Sequence, residues 1–124
     1  MRKQYHFRPG PNGIRAWDID RLIALAKDLP VSQVPISAIR ELDESYWFDD
    51  GNAATCRHVV EHARLINEAD LSFPIILSSD GRVMDGMHRV AKAALQDLGS
   101  LPAKRFAQDP EPDYVGVGPD DLPY

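Results

Sequence analysis

The chain has one cysteine, Cys56, among its 124 residues, and it has no apolar run long enough to cross a bilayer. One cysteine cannot form a disulfide within a chain and cannot build a cysteine-based zinc site there. A membrane-spanning helix needs about 18 or more consecutive apolar residues. The opening segment MRKQYHFRPGPNG also has no apolar stretch after its basic residues, so it does not resemble a secretion signal. These absences predict a cytoplasmic protein that does not bind membranes.

An excess of basic residues is also absent. The chain has 14 Lys and Arg against 19 Asp and Glu, which gives a formal net charge of −5. Broad nucleic-acid binding draws most of its affinity from a basic surface, so this balance argues against DNA as a partner. It leaves room for a small local basic site.

Hydrophobic spacing and turn residues predict three helices and several short strands. Residues 1–16 contain RPGPNG and are expected to be irregular. Helices are expected from Asp18, which is a helix-capping residue, over about 53–69, and from Gly86 onward. Strands are expected in SQVPISAI, FPIILSS, RVM and LPAKRF, with Asp80-Gly81 as a hairpin turn. The sequence therefore predicts an α+β fold with a small mixed sheet.

Residues 1–107 are expected to form one domain, followed by an acidic tail of residues 108–124. The tail is rich in proline and glycine and is expected either to drape over the surface or to be disordered. The apolar face of the second helix is expected to comprise Cys56, Val59, Val60, Ala63 and Ile66, with Cys56 as a small buried residue. That of the third helix is expected to comprise Met87, Val90, Ala91, Ala94, Leu95 and Leu98, with Gly99 as its C-terminal cap.

The segment DGRVMDGMHRVAKAAL places basic residues where the third helix begins. Cations are normally favoured at helix C-termini, and a helix N-terminus is a ready anion site. Gly86 can take a positive φ and let a ligand approach the backbone. His88, Arg89 and Lys92 can bind phosphate oxygens, whereas Asp85 repels a bare phosphate unless a metal or a proton intervenes. The alternative is that Arg89 pairs with Asp85 and that His88 is a surface residue.

Residues from about Val34 to Phe106 resemble the ParB/sulfiredoxin superfamily in the order of their elements. The junction Asp85-Gly86-Met87-His88-Arg89 resembles the superfamily signature, which reads Gly-Cys-His-Arg in sulfiredoxins, Gly-Glu-Arg-Arg in ParB proteins and Asp-Gly-His-His-Arg in free-serine kinases. The resemblance implies a nucleotide site in which Gly86, His88 and Arg89 bind phosphates and Asp85 takes the kinase-like position.

Two features of this sequence differ from those families and restrict the activities that the resemblance implies. Met87 stands where sulfiredoxins carry a nucleophilic cysteine, and a thioether cannot form the covalent intermediate of that reaction. No helix-turn-helix follows the domain, so a role in DNA partition is not expected.

The loop RELDESYWFDDGNAA is acidic and aromatic at once. The resemblance implies that an acid after the first strand acts as general base or holds Mg²⁺ against the phosphates, with Glu41, Asp43 and Glu44 as candidates. Phosphoryl transfer depends mainly on positioning and charge neutralisation, so a carboxylate, a metal and an arginine would suffice. The alternative is a solvated acidic loop, including Asp49 and Asp50, whose aromatic residues pack on the domain or form a binding platform.

HVVEH, residues 58–62, matches the inverted zinc-protease pattern, because His58 and His62 stand four residues apart on a helix, with Glu61 between them. A zinc hydrolase also needs a distant third ligand, and the sequence offers carboxylates only in the proline-rich tail. A metal site here is therefore disfavoured. His6 has no partner that the sequence reveals.

The leading prediction is a nucleotide-binding or phosphate-binding domain, with Mg²⁺-dependent phosphoryl transfer or nucleotide hydrolysis as a further possibility. The alternative is a non-catalytic protein-interaction or regulatory module that uses the acidic loop or the tail. A ParB-like nuclease is the weakest prediction, because of the negative charge.

Overall fold

A computed structural model describes residues 3–48, 51 and 53–124. It confirms the α+β class with three α-helices. The helices are α1 (Ile19–Leu25), α2 (Cys56–Glu68) and α3 (Met87–Leu95). The strands are β1 (Tyr5–Arg8), β2 (Arg15–Asp18), β3 (Ser32–Pro35), β4 (Ile75–Leu77), β5 (Val83–Asp85), β6 (Ser100–Arg105) and β7 (Tyr114–Val115). In the described residues, no helix is long and apolar enough to span a bilayer.

The central sheet has four strands in the order β3-β6-β4-β5. Strands β4 and β6 are parallel, whereas the other pairs are antiparallel, so the predicted mixed sheet is confirmed. β3 lies at an edge, where the proline of its segment is tolerated. Residues after Pro35 leave the sheet and form short 3₁₀ turns at Ile36–Ala38 and Arg40–Asp43, so the predicted strand is shorter than expected.

Two hydrophobic clusters cover the two faces of this sheet. Successive side chains of a strand point to opposite faces, so Ile75 and Leu77 pack on one side and Ile76 on the other. Met87 and Val90 of α3 join the first cluster. Leu22 of α1 joins the second. The sheet therefore lies between α3 and α1, and it fixes where the N-terminus of α3 emerges.

The expectation that residues 1–16 are irregular is wrong. β1 and β2 form an antiparallel hairpin, and Pro9 to Gly13 of RPGPNG lie in its connection. The hairpin is stabilised by the tail, because β7 pairs with β2 to complete a second, three-stranded sheet. An isolated two-stranded hairpin is only marginally stable in water. Here β2 also pairs with β7, which comes from almost the other end of the sequence. No local pattern could show that pairing.

Of the two states considered for the tail, the structure shows the draped one. The indole Nε1 of Trp17 donates to the carbonyl of Pro110 at 2.8 Å, and the Asp113 amide donates to the carbonyl of Ala16. Leu122 is buried. The contacts of Pro110 and Asp113 tie this part of the tail to the N-terminal hairpin.

The helix ends follow the expected chemistry only in part. Asp18 caps α1 and accepts from the Asp20 amide, as predicted. α3 ends in a Schellman motif in which Asp97, with φ of 56°, takes the left-handed position that was assigned to Gly99. Leu95, the last residue of α3, and Leu98 are exposed, whereas Ala93 is buried, so that part of the predicted apolar face is wrong.

Most of the predicted apolar face of α2 is also wrong. Cys56, Val59, Val60 and Ala63 are exposed, and no residue of α2 is fully buried. Of that face only Ile66 is half-buried, and the other half-buried positions of α2 are His58 and His62. The physical reason is that α2 packs mainly on α3, through imidazole rings, whereas a sequence pattern counts histidines as polar.

Candidate functional site

A cavity of about 630 Å³ opens at the N-terminus of α3. We call it the α3 cavity. The five junction residues all line it: Asp85, Gly86, Met87, His88 and Arg89. The ends of α1 and α2 and the start of β4 complete its walls. The junction singled out in the sequence therefore lines a cavity of the size that binds small ligands.

Gly86 is required by the backbone at this junction. It is the N-cap of α3, with φ of 105° and no side chain to cap the helix. An added Cβ would lie 2.7 Å from Cγ2 of Ile75 and 3.0 Å from Cζ of Arg89. The first N–H groups of a helix lack partners within the helix, so this uncapped end has donors to offer.

Arg89 is held by the protein itself. Its Nη2 donates to Asp85 Oδ2 at 2.9 Å, and its Nη1 donates to the carbonyls of Pro74 at 2.6 Å and Phe73 at 3.0 Å. The pairing with Asp85, considered as the alternative, is therefore present. It also compensates the carboxyl charge that would otherwise repel a phosphate. Arg89 ties the start of α3 to the chain entering β4.

Lys92 does not line the α3 cavity. Its Nζ donates to the carbonyls of Ala69 at 2.6 Å and Asn67 at 2.9 Å, where α2 ends. A cation at a helix C-terminus is favourable, so Lys92 joins α3 to α2. The lysine that does line the cavity is Lys104 on β6. Sequence reasoning missed it because only the pairing of β6 with β4 brings it there.

Three aromatic rings cover the flank of α3. The His62 Nδ1 and His88 Nε2 atoms are 2.8 Å apart. Trp47 stacks on both imidazoles, with ring centroids 4.5 and 4.6 Å away. Burial, and then the neighbouring His62, lowers the pKa of His88 to about 4. Burial lowers the pKa of His62 as well. Two neutral imidazoles can share one hydrogen bond, whereas two imidazolium rings cannot.

The zinc pattern is not assembled by the fold. The Nδ1 atom of His58 lies 2.9 Å from the carbonyl of Ala53, and His62 is engaged with His88. Within the described residues, no group of three or more His, Cys, Asp or Glu side chains could hold a metal ion.

Apolar side chains form an exposed wall of the α3 cavity. Phe73 is 62 % exposed, Ile23 is 51 % exposed and Leu65 is 42 % exposed, although all three are large and hydrophobic. The cavity thus combines an apolar side with polar groups, which include the α3 N-terminus at Gly86, His88 and Lys104. That combination is typical of sites for small organic ligands.

The acidic candidates lie elsewhere. Glu41 and Glu44 line a second cavity of about 390 Å³, between the β1–β2 hairpin and the β4–β5 turn. We call it the hairpin cavity. Asp43 lines neither cavity. Asp49 and Asp50 lie outside the described residues. The fold thus separates the acids from the phosphate-binding candidates that they were expected to serve.

Glu41 is buried and takes part in the sheet edge. Its Oε2 accepts from the Val83 amide at 2.6 Å, and its side chain is 4 % exposed. Glu44 accepts two hydrogen bonds from Nη1 of Arg82, at 2.6 and 2.8 Å. Tyr46 lines the same cavity, and burial, followed by the charges of Glu41 and Asp85, raises its pKa to about 12.

His6, which had no partner in the sequence, lines the hairpin cavity. Its Nε2 accepts from Nε of Arg8 at 3.0 Å, and its ring lies against Trp17. Burial, and then the charges of Arg8 and Arg15, lowers the pKa of His6 to about 4. This neutral imidazole therefore belongs to a basic wall that sequence reasoning missed, since β1 and β2 were not predicted.

Comparisons of the chain with protein-family models, with curated proteins and with solved structures find no match. The geometry of the two cavities is therefore the basis for a functional proposal.

Proposed function

We propose that the protein binds a nucleotide, or another phosphorylated small molecule, in the α3 cavity. One observation carries this proposal: the uncapped N-terminus of α3 at Gly86 borders a cavity that also has exposed apolar walls. A helix N-terminus favours phosphate through its free N–H groups and its dipole. An apolar wall suits a base or another flat organic group.

The polar groups at this end fit an anion in specific ways. Asp85 is compensated by Arg89, so its charge opposes the phosphate less than the sequence alone suggests. Lys104 adds a cation from β6, on the wall of the same cavity. His88 presents an imidazole whose pKa is lowered to about 4, so it contributes as a neutral hydrogen-bonding group.

Magnesium belongs to the proposal only as an ion that accompanies the phosphates. Mg²⁺ is usually held by one or two carboxylates together with substrate phosphates. The carboxyl side chains lining the α3 cavity are Glu68, Asp70 and Asp85. Phosphoryl transfer or hydrolysis in this cavity would depend on these acids, since Glu41 and Glu44 line the other cavity.

Thermal unfolding tests the proposal, with ATP, ADP, CTP and GTP added separately, each with and without Mg²⁺. A ligand at about 100 times its dissociation constant adds roughly 2.7 kcal/mol to the free energy of unfolding. For a domain of this size that corresponds to a rise in Tm on the order of 10 °C. We expect such a rise with at least one nucleotide.

Two substitutions in the wall of the α3 cavity test where the ligand binds, and both should leave the fold intact. Phe73→Ala removes an exposed wall, and Lys104→Gln removes a cation whose Nζ donates to the carbonyl of Lys27. Both should reduce the rise in Tm, whereas Arg57→Gln on the exposed side of α2 should not. A Tm that no nucleotide raises, or a rise that both cavity variants keep in full, would contradict the proposal.

A second candidate function, protein interaction, is favoured by the exposed aliphatic side chains of α2. Val59 is 51 % exposed and Val60 is 66 % exposed, and Cys56 lies beside them. Sedimentation at increasing protein concentration tests whether another copy covers this face. Self-association that Val60→Ser abolishes would support this function, and a monomer at all concentrations would count against a second copy as the partner.

A further inference from the structure

Several described side chains around the hairpin cavity have buried polar atoms that lack a hydrogen-bond partner. Among residues 3–48, 51 and 53–124, three buried side-chain atoms have no hydrogen-bond partner: Nη2 of Arg8, Nε of Arg15 and Oε1 of Glu41. All three belong to side chains that line this one cavity. Buried polar groups in native proteins are almost always hydrogen-bonded, and each exception calls for a reason.

The neighbouring charges do not supply the missing partners. Arg82 is committed to Glu44, and its Nη1 stays 3.9 Å from Oε1 of Glu41. Arg8 donates from Nε to His6, but its Nη1 is 3.8 Å from Oδ1 of Asp80, which is beyond hydrogen-bond distance. The carboxyl of Asp80 is bound by Ser78 instead.

Arg15 has no carboxyl partner among the residues that the structure describes. Its Nη2 donates to the carbonyl of Pro9 at 3.1 Å, and its Cζ lies 5.3 Å from the ring centroid of Trp17. The cavity therefore has a basic side, formed by Arg8 and Arg15 around a neutral His6, and an acceptor, Glu41, on the opposing loop.

From this juxtaposition we propose that the hairpin cavity is a second ligand site, which binds a small hydroxycarboxylate. The carboxylate of the ligand pairs with the guanidinium groups of Arg8 and Arg15, and its hydroxyl donates to Oε1 of Glu41. Planar carboxylates match the fork of arginine N–H groups. A ligand with a neutral hydroxyl suits the acceptor Oε1 of Glu41, whereas an anionic oxygen at that position would be repelled. The site is separate from the α3 cavity and does not depend on nucleotide binding.

NMR titration with a matched pair of probes tests this inference. L-malate and succinate differ only in one hydroxyl group, and inorganic phosphate serves as a third probe. We expect malate to shift the Nε–H signals of Arg8 and Arg15 and the amides of β1, β2 and Val83, while the amides at the start of α3 stay in place. One hydrogen bond to a charged group predicts about tenfold tighter binding of malate than of succinate.

Variants separate the two halves of the site. Glu41→Gln keeps a side-chain acceptor for the Val83 amide, and it should reduce the affinity for malate to that for succinate. Arg15→Gln should weaken both probes equally, whereas Arg57→Gln should change neither. The ¹H–¹⁵N spectrum of each variant without ligand reports whether the fold is retained.

Several results would overturn the inference. These are equal affinity for malate and succinate in the native protein, stronger binding of phosphate than of malate, or shifts confined to the α3 cavity. The absence of any shift at millimolar probe concentrations would also overturn it. Because the signals of the two cavities are distinct, failure here leaves the nucleotide proposal standing, and failure of the nucleotide proposal leaves this one standing.

Discussion

The two cavities of this protein differ in how their arginines are satisfied. In the α3 cavity, Arg89 donates to one carboxyl group and two carbonyls. In the hairpin cavity, Arg8 and Arg15 each keep a buried nitrogen without a partner in the described part of the chain. The first arginine thus builds the wall of its cavity, whereas the other two retain hydrogen-bonding capacity. A basic residue beside a cavity is therefore not by itself a ligand-binding residue.

The largest expected effect comes from pH, because each cavity contains one histidine whose pKa is lowered to about 4: His6 and His88. Between pH 6.5 and about 4, the unfolded chain binds protons that the folded chain does not. Stability is therefore complete above pH 6.5 and falls as the pH drops towards 4. The loss should be on the order of 3 kcal/mol for the buried His6, and smaller for His88, because solvent screens its half-buried ring.

Urea unfolding from pH 7 to pH 4.5 measures this loss. His6→Gln and His88→Gln should each remove part of the pH dependence of stability, because each variant lacks the titrating histidine of one cavity. A profile that both variants leave as steep as that of the native protein would show that other groups cause it.

Arg89→Ala should destabilise the fold by about 3 kcal/mol, because it leaves a half-buried Asp85 and two carbonyls without their donor. This differs from the expectation for a residue that only binds ligand. Chemical denaturation measures the change, and Arg57→Ala is the matched control on an exposed helix face. Unchanged stability would show that the hydrogen bonds of Arg89 do not hold the fold together, and that Arg89 is available to bind a ligand.

Arg15→Gln and Glu41→Gln should change stability by only about 1 kcal/mol or less. Arg15→Gln loses one exposed hydrogen bond, from Nη2 to the carbonyl of Pro9, and Glu41→Gln keeps an acceptor for the Val83 amide. Both are compared with Arg89→Ala under the same denaturation conditions. If either variant loses as much stability as Arg89→Ala, the arginines of the two cavities do not differ in how far they stabilise the fold.

Phe73→Ala should have the smallest effect on stability, within about 0.5 kcal/mol, since its side chain is 62 % exposed. A nucleotide should then stabilise this variant less than the native protein. If Phe73→Ala unfolds the protein, the wall of the α3 cavity is part of the core and not an open binding surface.

Local sequence patterns determined a large part of the fold. The Asp18 cap, the apolar FPIIL run, the Asp80-Gly81 turn and the strand–glycine–helix junction all depend on neighbours within a few residues, so the sequence predicted them. The α+β class and the mixed sheet followed from their order. Gly86 could be singled out because few other residues tolerate a positive φ at the start of a helix.

Only the tertiary structure decided how these parts combine. It paired β7 with β2, turned Arg89 towards Asp85, exposed Cys56, and placed Glu41 beside Arg8 and Arg15 instead of beside His88. Each of these outcomes joins residues that are far apart in the chain or chooses among competing partners. Such choices are set by the packing of the whole molecule, and no spacing in the sequence encodes them.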